Sequence, residues 1–276
     1  MSRQENVEIE ACLAVVGDAR AAVFERVIAA SNSAGLQLGA WERRELHDRY
    51  FDLEGGLLAQ ASSALRWRTC TSRASSRDFL TLKGPAQGSD PLQIVRAEYE
   101  AEWSDAGLRS IIAHLPELGC DAIAIPPGSS AAPERALQAL GFQLIQARTT
   151  TRLLAASSDD EGPAVELALD HVLYDLPGRQ IQHRELEVEA LRGGVGHRVT
   201  TVAQHFLARF PDDLRPWRWS KTALARALEV LHERGELADV LDGEELTRAG
   251  YDSVERVLED LPPGASSPCG GPNGAN

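Results

Sequence analysis

The chain has 276 residues, 43% of them hydrophobic and 25% charged, which suits one large soluble domain or two modest ones. Its net charge of −13 disfavours non-specific binding to nucleic acid, although a local arginine cluster can still hold a polyanion at short range. No run of about 18 apolar residues suggests a membrane helix, and Cys12, Cys70, Cys120 and Cys269 lack metal-ligand or disulfide spacing, so a cytoplasmic protein is expected.

Residues 7–16 read as a first strand, reached from Met1–Asn6 without an apolar signal core. Ala19 to Ser33 has helical apolar spacing and Gly35 as a stop. Residues 48–53, 64–71, 78–83 and 94–103 read as strands, with turns at Gly55-Gly56, Thr71 to Arg77 and Gly84-Pro85. Asp105 to Leu115 reads as a helix capped by Ser104. A loop at Pro126 to Ser130 precedes a helix over Pro133 to Leu140. Strands follow at about 142–154, 164–174 and 183–191. From Gly196 the period changes, and His197–Phe210, Ser220–Arg234 and Glu244–Leu261 read as amphipathic helices. The tail from Pro262 is rich in Pro, Gly, Ser and Asn, which favours disorder. The expected organisation is a strand-rich unit over 5–195, a helical extension over 196–261 packed on it, and a tail over 262–276.

Alternation along the strands carries the functional signal. In Ile94 to Trp103, Arg96, Glu98, Glu100 and Glu102 share one face, while Val95, Ala97, Tyr99 and Trp103 share the other. The same pattern recurs at Glu8/Glu10, Arg66/Arg68, Arg148/Arg152, Glu166/Asp170 and Glu185/Glu187/Glu189, and Lys83 joins it. Such faces are either solvated sheet surfaces with cross-strand ion pairs or the inside of a closed sheet. Enclosed, the carboxylates raise each other's pKa unless cations intervene, which suits hard divalent metals, and the arginines suit phosphate oxygens. Of 28 basic residues only Lys83 and Lys221 are lysine, which marks either a need for a compact, rotatable ammonium at these positions or drift.

Taken in order, Glu8-x-Glu10, Tyr50-Phe51-Asp52, Ala64 to Arg68, Leu80 to Pro85, Arg96-x-Glu98-x-Glu100, Glu166 to Asp170 and Glu185-x-Glu187-x-Glu189 resemble the successive motifs of the CYTH superfamily, the triphosphate tunnel metalloenzymes. The resemblance covers about residues 5–191. Ser220-Lys221 resembles the Ser-Lys of the helical tail in the family's bacterial inorganic triphosphatases. The resemblance implies an α+β fold, an eight-stranded antiparallel β-barrel tunnel with flanking helices and a C-terminal helical extension. It implies Mg²⁺ or Mn²⁺ as cofactor and a small triphosphate-containing substrate, in a monomer or homodimer. Arg66, Arg68, Lys83, Arg96 and Arg152 would contact phosphates. Glu8, Glu10, Glu98, Glu100, Asp170 and Glu187 would hold metal. Lys83, Glu185 and Glu187 would act in catalysis, with the last acidic pair open between 185/187 and 187/189.

The implied reaction is hydrolysis of inorganic triphosphate to pyrophosphate and phosphate. Thiamine or nucleoside triphosphatase and class IV adenylyl cyclase-like activities are the alternatives. One departure stands out. The family's opening Glu-x-Glu-x-Lys has Cys12 in place of lysine, on the face of Glu8 and Glu10. A neighbouring cation could take over its contact, the substrate could differ, or the tunnel could be a non-catalytic polyphosphate- or nucleotide-binding module. Trp41, Trp217 and Trp219 are candidate platforms for an organic substrate. His47, His171, His183 and His197 read as structural histidines rather than acid–base groups.

Overall fold

A computed structural model describes residues 7–18, 20–88, 90–125 and 132–261. The expected loop at Pro126 to Ser130 and the expected tail both lie outside the described residues. Strands β1 (Val7–Val15), β2 (Glu42–Asp52), β3 (Ala64–Thr71), β4 (Ser76–Lys83), β5 (Ile94–Glu102), β6 (Gln143–Asp159), β7 (Gly162–Leu176) and β8 (Arg179–Ala190) form a closed antiparallel barrel. Around it the order is β1-β5-β4-β3-β2-β6-β7-β8, and β8 pairs back onto β1. Closure leaves no edge along these strands and encloses one face of every strand.

Helices cover the barrel in three places. On one side α1 (Arg20–Ala30) and α5 (Gly196–Arg209) pack on the outward residues of β1, β7 and β8, among them Leu13, Leu167 and Val188. On another, α2 (Leu57–Gln60), α3 (Asp105–Ile112) and α4 (Pro133–Ala139) pack on Phe51, Leu65, Leu80 and Leu82. The third cluster lies at one mouth. There α6 (Lys221–Glu233) and α7 (Arg248–Asp260) meet inward-facing Cys12, Ala14, Val172, Tyr174 and Ile181, with Trp217 between them. This helical pair closes part of the mouth. Each large apolar side chain fully buried there contributes about 1.5–3 kcal/mol.

Local signals fix the helix starts. Ser104, Ser220 and Thr247 each accept a backbone N–H three residues on, at 3.0, 3.1 and 2.9 Å. Gly250 stays small because a Cβ there would lie 2.1 Å from the Val240 carbonyl oxygen. That close approach seats α7 against the chain leading into it.

The elements differ from expectation where the period is weak. β2 begins at Glu42 rather than residue 48, because Glu42 to Glu45 are all charged and show no alternation. The last helix begins at Arg248 rather than Glu244. Residues before it form β10 (Leu241–Asp242) and β11 (Glu245–Leu246), and β11 pairs with β8. A further short strand, β9 (Leu214–Pro216), pairs with the end of β1. Two or three residues are too few to show a period.

Candidate functional site

The barrel encloses a cavity of about 650 Å³, bounded at the helical mouth by the β2–β3 connection and the first turns of α6. Nine carboxylates and eight cations line it. Among them are Glu8, Glu10, Glu98, Glu100, Glu185, Glu187, Glu189, Arg66, Arg68, Lys83, Arg96 and Arg152. Asp170 sits behind the lining, fully buried. Of the acids that shared the same alternation, Glu102 and Glu166 lie outside the lining.

Strand register builds a first cluster. Glu8 lies opposite Arg96 on β5, and Lys83 opposite Glu98. The Lys83 ammonium donates to Glu8 Oε1 at 2.7 Å and lies 3.2 Å from Glu98 Oε1. Arg96 bridges Glu8, at 2.5 Å, and Glu10. Burial opposes the Glu8 charge, but Arg96 and Lys83 outweigh it and hold this carboxyl well below the usual range. Burial and Arg96 oppose the Lys83 charge, but Glu8 and Glu98 outweigh them and raise its pKa.

A second cluster joins the barrel to α6. Asp170 lies opposite Arg152 on β6 and Glu185 on β8. Arg152 donates to both Asp170 oxygens, at 2.7 and 2.6 Å, and to Glu187. The Lys221 ammonium contacts Glu187 at 2.5 Å, Asp170 at 3.1 Å and Glu185. Burial pushes the Glu187 carboxyl up to about 7, with Arg152 opposing and Asp170 and Glu10 adding. Lys221 is lowered, burial outweighing Asp170. Ser220 caps α6, so the helix N-terminus and its partial positive charge face the cavity beside Lys221.

A third group is made of arginines held from behind. Asp48 is buried and accepts both forks of Arg68 at 2.6 and 2.8 Å, and Arg148 approaches it at 3.7 Å. Burial opposes its charge, but Arg68 outweighs it, so Asp48 titrates far below the ordinary range. Arg148 also lies over the Tyr50 ring, 4.4 Å from its centroid, and donates to its hydroxyl. Arg66 donates to Thr81 at 3.1 Å and lies 3.5 Å from Glu100, which accepts from Thr81 at 2.9 Å.

The donor set fits a hard cation. Oxygen atoms of Glu8, Glu98 and Glu189 lie within 4.8 Å of one another, as do those of Asp170, Glu185 and Glu187. Glu10 and Glu187 group in the same way with the Cys12 sulfur. Glu189 makes no ion pair among the described residues. Burial, then Glu8 and Glu10, raises its carboxyl well above the ordinary range. A carboxyl held protonated by its neighbours is one that a divalent cation would ionise.

Asp48 was not singled out in the sequence, Arg148 was placed on the charged face without a role, and Glu189 stood only as one alternative in the last acidic pair. Asp48 carried a usable signal, since it shares the parity of Tyr50, but a lone aspartate does not reveal two arginine partners. Trp41 packs on the α1–α5 side, and Trp217 is fully buried against Tyr251. Only Trp219 of these three reaches the cavity, 4% exposed and with Arg218 over its ring. His183 is buried behind the second cluster. No described helix is long and apolar enough to cross a membrane.

The family model described as the CYTH domain matches residues 20–208. No curated relative matches. Among solved structures, HpAC1 from Hippeastrum, a protein with a dominant triphosphatase activity, is 21% identical. The match covers 80% of this chain and 95% of that one, with a TM-score of 0.48. The PH1819 protein of Pyrococcus horikoshii OT3 is 18% identical over 82% of this chain and 99% of its own, with a TM-score of 0.47. The Pct1 RNA triphosphatase of S. pombe is 13% identical over 75% and 84%, with a TM-score of 0.35.

Proposed function

The chain belongs to the CYTH domain family, and we propose that its tunnel binds a divalent-cation complex of inorganic triphosphate and hydrolyses it to pyrophosphate and phosphate. The observation that carries this reading is the near-equal lining of nine carboxylates and eight cations. Such a wall is close to neutral overall while being strongly charged locally. It favours a ligand with the same property, a polyanion already paired with metal, over free metal or free polyphosphate.

Glu8, Glu98 and Glu189 would hold the Mg²⁺ or Mn²⁺, with Glu10 and Glu187 beside them; bound there, the metal supplies charge neutralisation on phosphate oxygens. Glu100 pairs with Arg66, and Asp170, which pairs with Arg152, would offer a further oxygen beside Glu185 and Glu187. Arg66, Arg68, Arg96, Arg152 and Lys83 bind the phosphates, exchanging carboxylate partners for phosphate oxygens. Lys83 and the arginines neutralise charge that grows on the leaving pyrophosphate. Glu187, with Glu185 next to it on the same face, orients the attacking water and accepts its proton. The bond from the terminal phosphorus to the bridging oxygen breaks, and phosphate and pyrophosphate leave.

One observation favours inorganic triphosphate over a nucleotide or thiamine ester, and another favours turnover over binding alone. Among the described residues the aromatic side chains of the lining, Tyr50, Phe51 and Trp219, are all buried, and Arg148 lies over Tyr50 and Arg218 over Trp219. A base or thiazolium ring would want an exposed platform. Lys221 bears on the other issue. Cys12 lies opposite Glu187 in the β1–β8 register, and the Lys221 ammonium occupies Glu187. The cation absent from position 12 is thus delivered from α6, which supports turnover over mere binding.

Phosphate release measured with triphosphate, thiamine triphosphate, ATP and GTP, in Mg²⁺ or Mn²⁺, tests the reading. Triphosphate should be the best substrate, and Glu10→Gln should lower its turnover by about 10²-fold or more. Calorimetric binding of triphosphate with no phosphate release from any of the four would instead establish a binding module.

A further inference from the structure

A buried hydrogen-bonded chain runs from the C-terminal helix to the tunnel. The Tyr251 hydroxyl on α7 lies 2.7 Å from His183 Nδ1. His183 Nε2 lies 2.8 Å from Glu185 Oε2. Glu185 Oε1 then contacts the Lys221 ammonium. His183, Glu185 and Tyr251 are each 1% exposed, and neither His183 nor Tyr251 lines the cavity. We propose that His183 and Tyr251 are positioning residues, which fix Glu185 so that it aims the Lys221 ammonium into the tunnel.

The partners decide which way the chain runs. The ring carries an N–H, and its two nitrogens face the Tyr251 hydroxyl and a Glu185 oxygen. A carboxylate oxygen can only accept, so that proton sits on Nε2 and points at Glu185. Nδ1 is then an acceptor and takes the Tyr251 O–H. The tyrosine stays protonated, because burial raises its pKa. Tyr251 and His183 therefore both donate toward the tunnel, and Lys221 donates onto Glu185 from the other side.

Packing locks the far end. The Tyr251 ring meets Trp217 edge-on at 5.3 Å between centroids, and the neighbouring Gly250 sits tight on the Val240 carbonyl. Glu185 is thereby held from outside the cavity. Lys221 has four methylenes of freedom, and two other carboxylates, Asp170 and Glu187, compete for it. Fixing Glu185 selects one position among those available. The C-terminal helical pair is on this view part of the site and not only a cover for it.

The kinetic consequence rests on the triphosphatase reading, whereas the positioning itself does not. Because the chain has two lysines, protein labelled with ¹³Cε-lysine gives two side-chain signals, and Lys221→Arg assigns them. In His183→Leu the Lys221 signal should shift and the Lys83 signal should stay. His183→Gln, which keeps an N–H toward Glu185, should remain near wild type, and Tyr251→Phe should shift the signal less than His183→Leu. With triphosphate and Mg²⁺, His183→Leu should lower kcat/KM by roughly tenfold to a hundredfold, the size of one lost hydrogen bond to a charged group. In a Lys221→Ala background the same substitution should lower it no further. An unmoved Lys221 signal in folded His183→Leu and Tyr251→Phe overturns the proposal, and so does an additive loss in the double variant. If the wild type proves inactive while the signal still responds to His183→Leu, the positioning stands and the triphosphatase reading falls.

Discussion

The two lysines of this chain sit in the same tunnel and are built into it in opposite ways. Lys83 is carried by a barrel strand, pairs with Glu8 and Glu98 through strand register, and has a raised pKa. Lys221 arrives from α6, meets three carboxylates, and has a pKa lowered by burial. A cation fixed by the sheet needs no help beyond closure of the barrel. A cation delivered by a helix depends on the cap, on the packing of the helical pair and on the groups behind it. Most of the charged lining belongs to the first kind, and on the proposed reading the second stands in for a cation at Cys12.

The largest effect expected from breaking this contrast is at the strand. Lys83→Ala should lower triphosphate turnover by about 10³-fold with circular dichroism unchanged, because it removes a fixed donor aimed at developing charge. Retention of wild-type turnover would remove Lys83 from the site.

The helix-borne cation should matter less and should be replaceable. Lys221→Ala is expected to cost about tenfold to a hundredfold in kcat/KM, and Cys12→Lys in that background should restore much of it, since position 12 faces Glu187. Cys12→Lys alone should bring no gain, because Glu187 already holds an ammonium. A marked gain in the single variant would mean that the natural chain lacks a cation that Lys221 does not supply.

Stability against pH sharpens the comparison at the carboxylates. The folded, metal-free protein keeps protons on Glu187 and Glu189 that the unfolded chain releases, so these groups make stability fall as pH rises through about 7. His171 and His183 act the other way, since both are lowered, but only near and below the ordinary histidine range. Between pH 7 and 8.5 the metal-free melting temperature should therefore drop, and Mg²⁺ should reverse the drop. A metal-free melting temperature that rises over this window would contradict the raised acids.

The smallest effect is expected at the mouth. Trp219→Phe should change kcat/KM for triphosphate by less than about threefold, because the ring is covered by Arg218 and offers no stacking face. A large loss confined to a nucleotide or thiamine substrate would show that the ring opens to an organic group.

The contrast between the two lysines also marks what the sequence could tell. Alternation at Arg96, Glu98 and Glu100 says which side chains share a face, and closure of the barrel turned that face inward. The same alternation does not say which acid meets which base. Register decides that, as when Asp48 meets Arg68 on one neighbour and Arg148 on the other. The four charged residues opening β2 hid its first half. Lys221 stood out because lysine is scarce here and because Ser220-Lys221 resembles a family motif, but the carboxylates it meets come from strands more than thirty residues away. His183 read as a structural histidine, and it is buried and hydrogen-bonded. Its link to Tyr251 needed α7 folded against β8, which no local pattern announces.

The central claim is that the tunnel takes metal and triphosphate together as one nearly neutral unit. Calorimetric titration of inorganic triphosphate into the Lys83→Ala-slowed protein, with and without Mg²⁺, measures this directly. Strong binding only when Mg²⁺ is present is the expected result. Equal binding in excess chelator would contradict it.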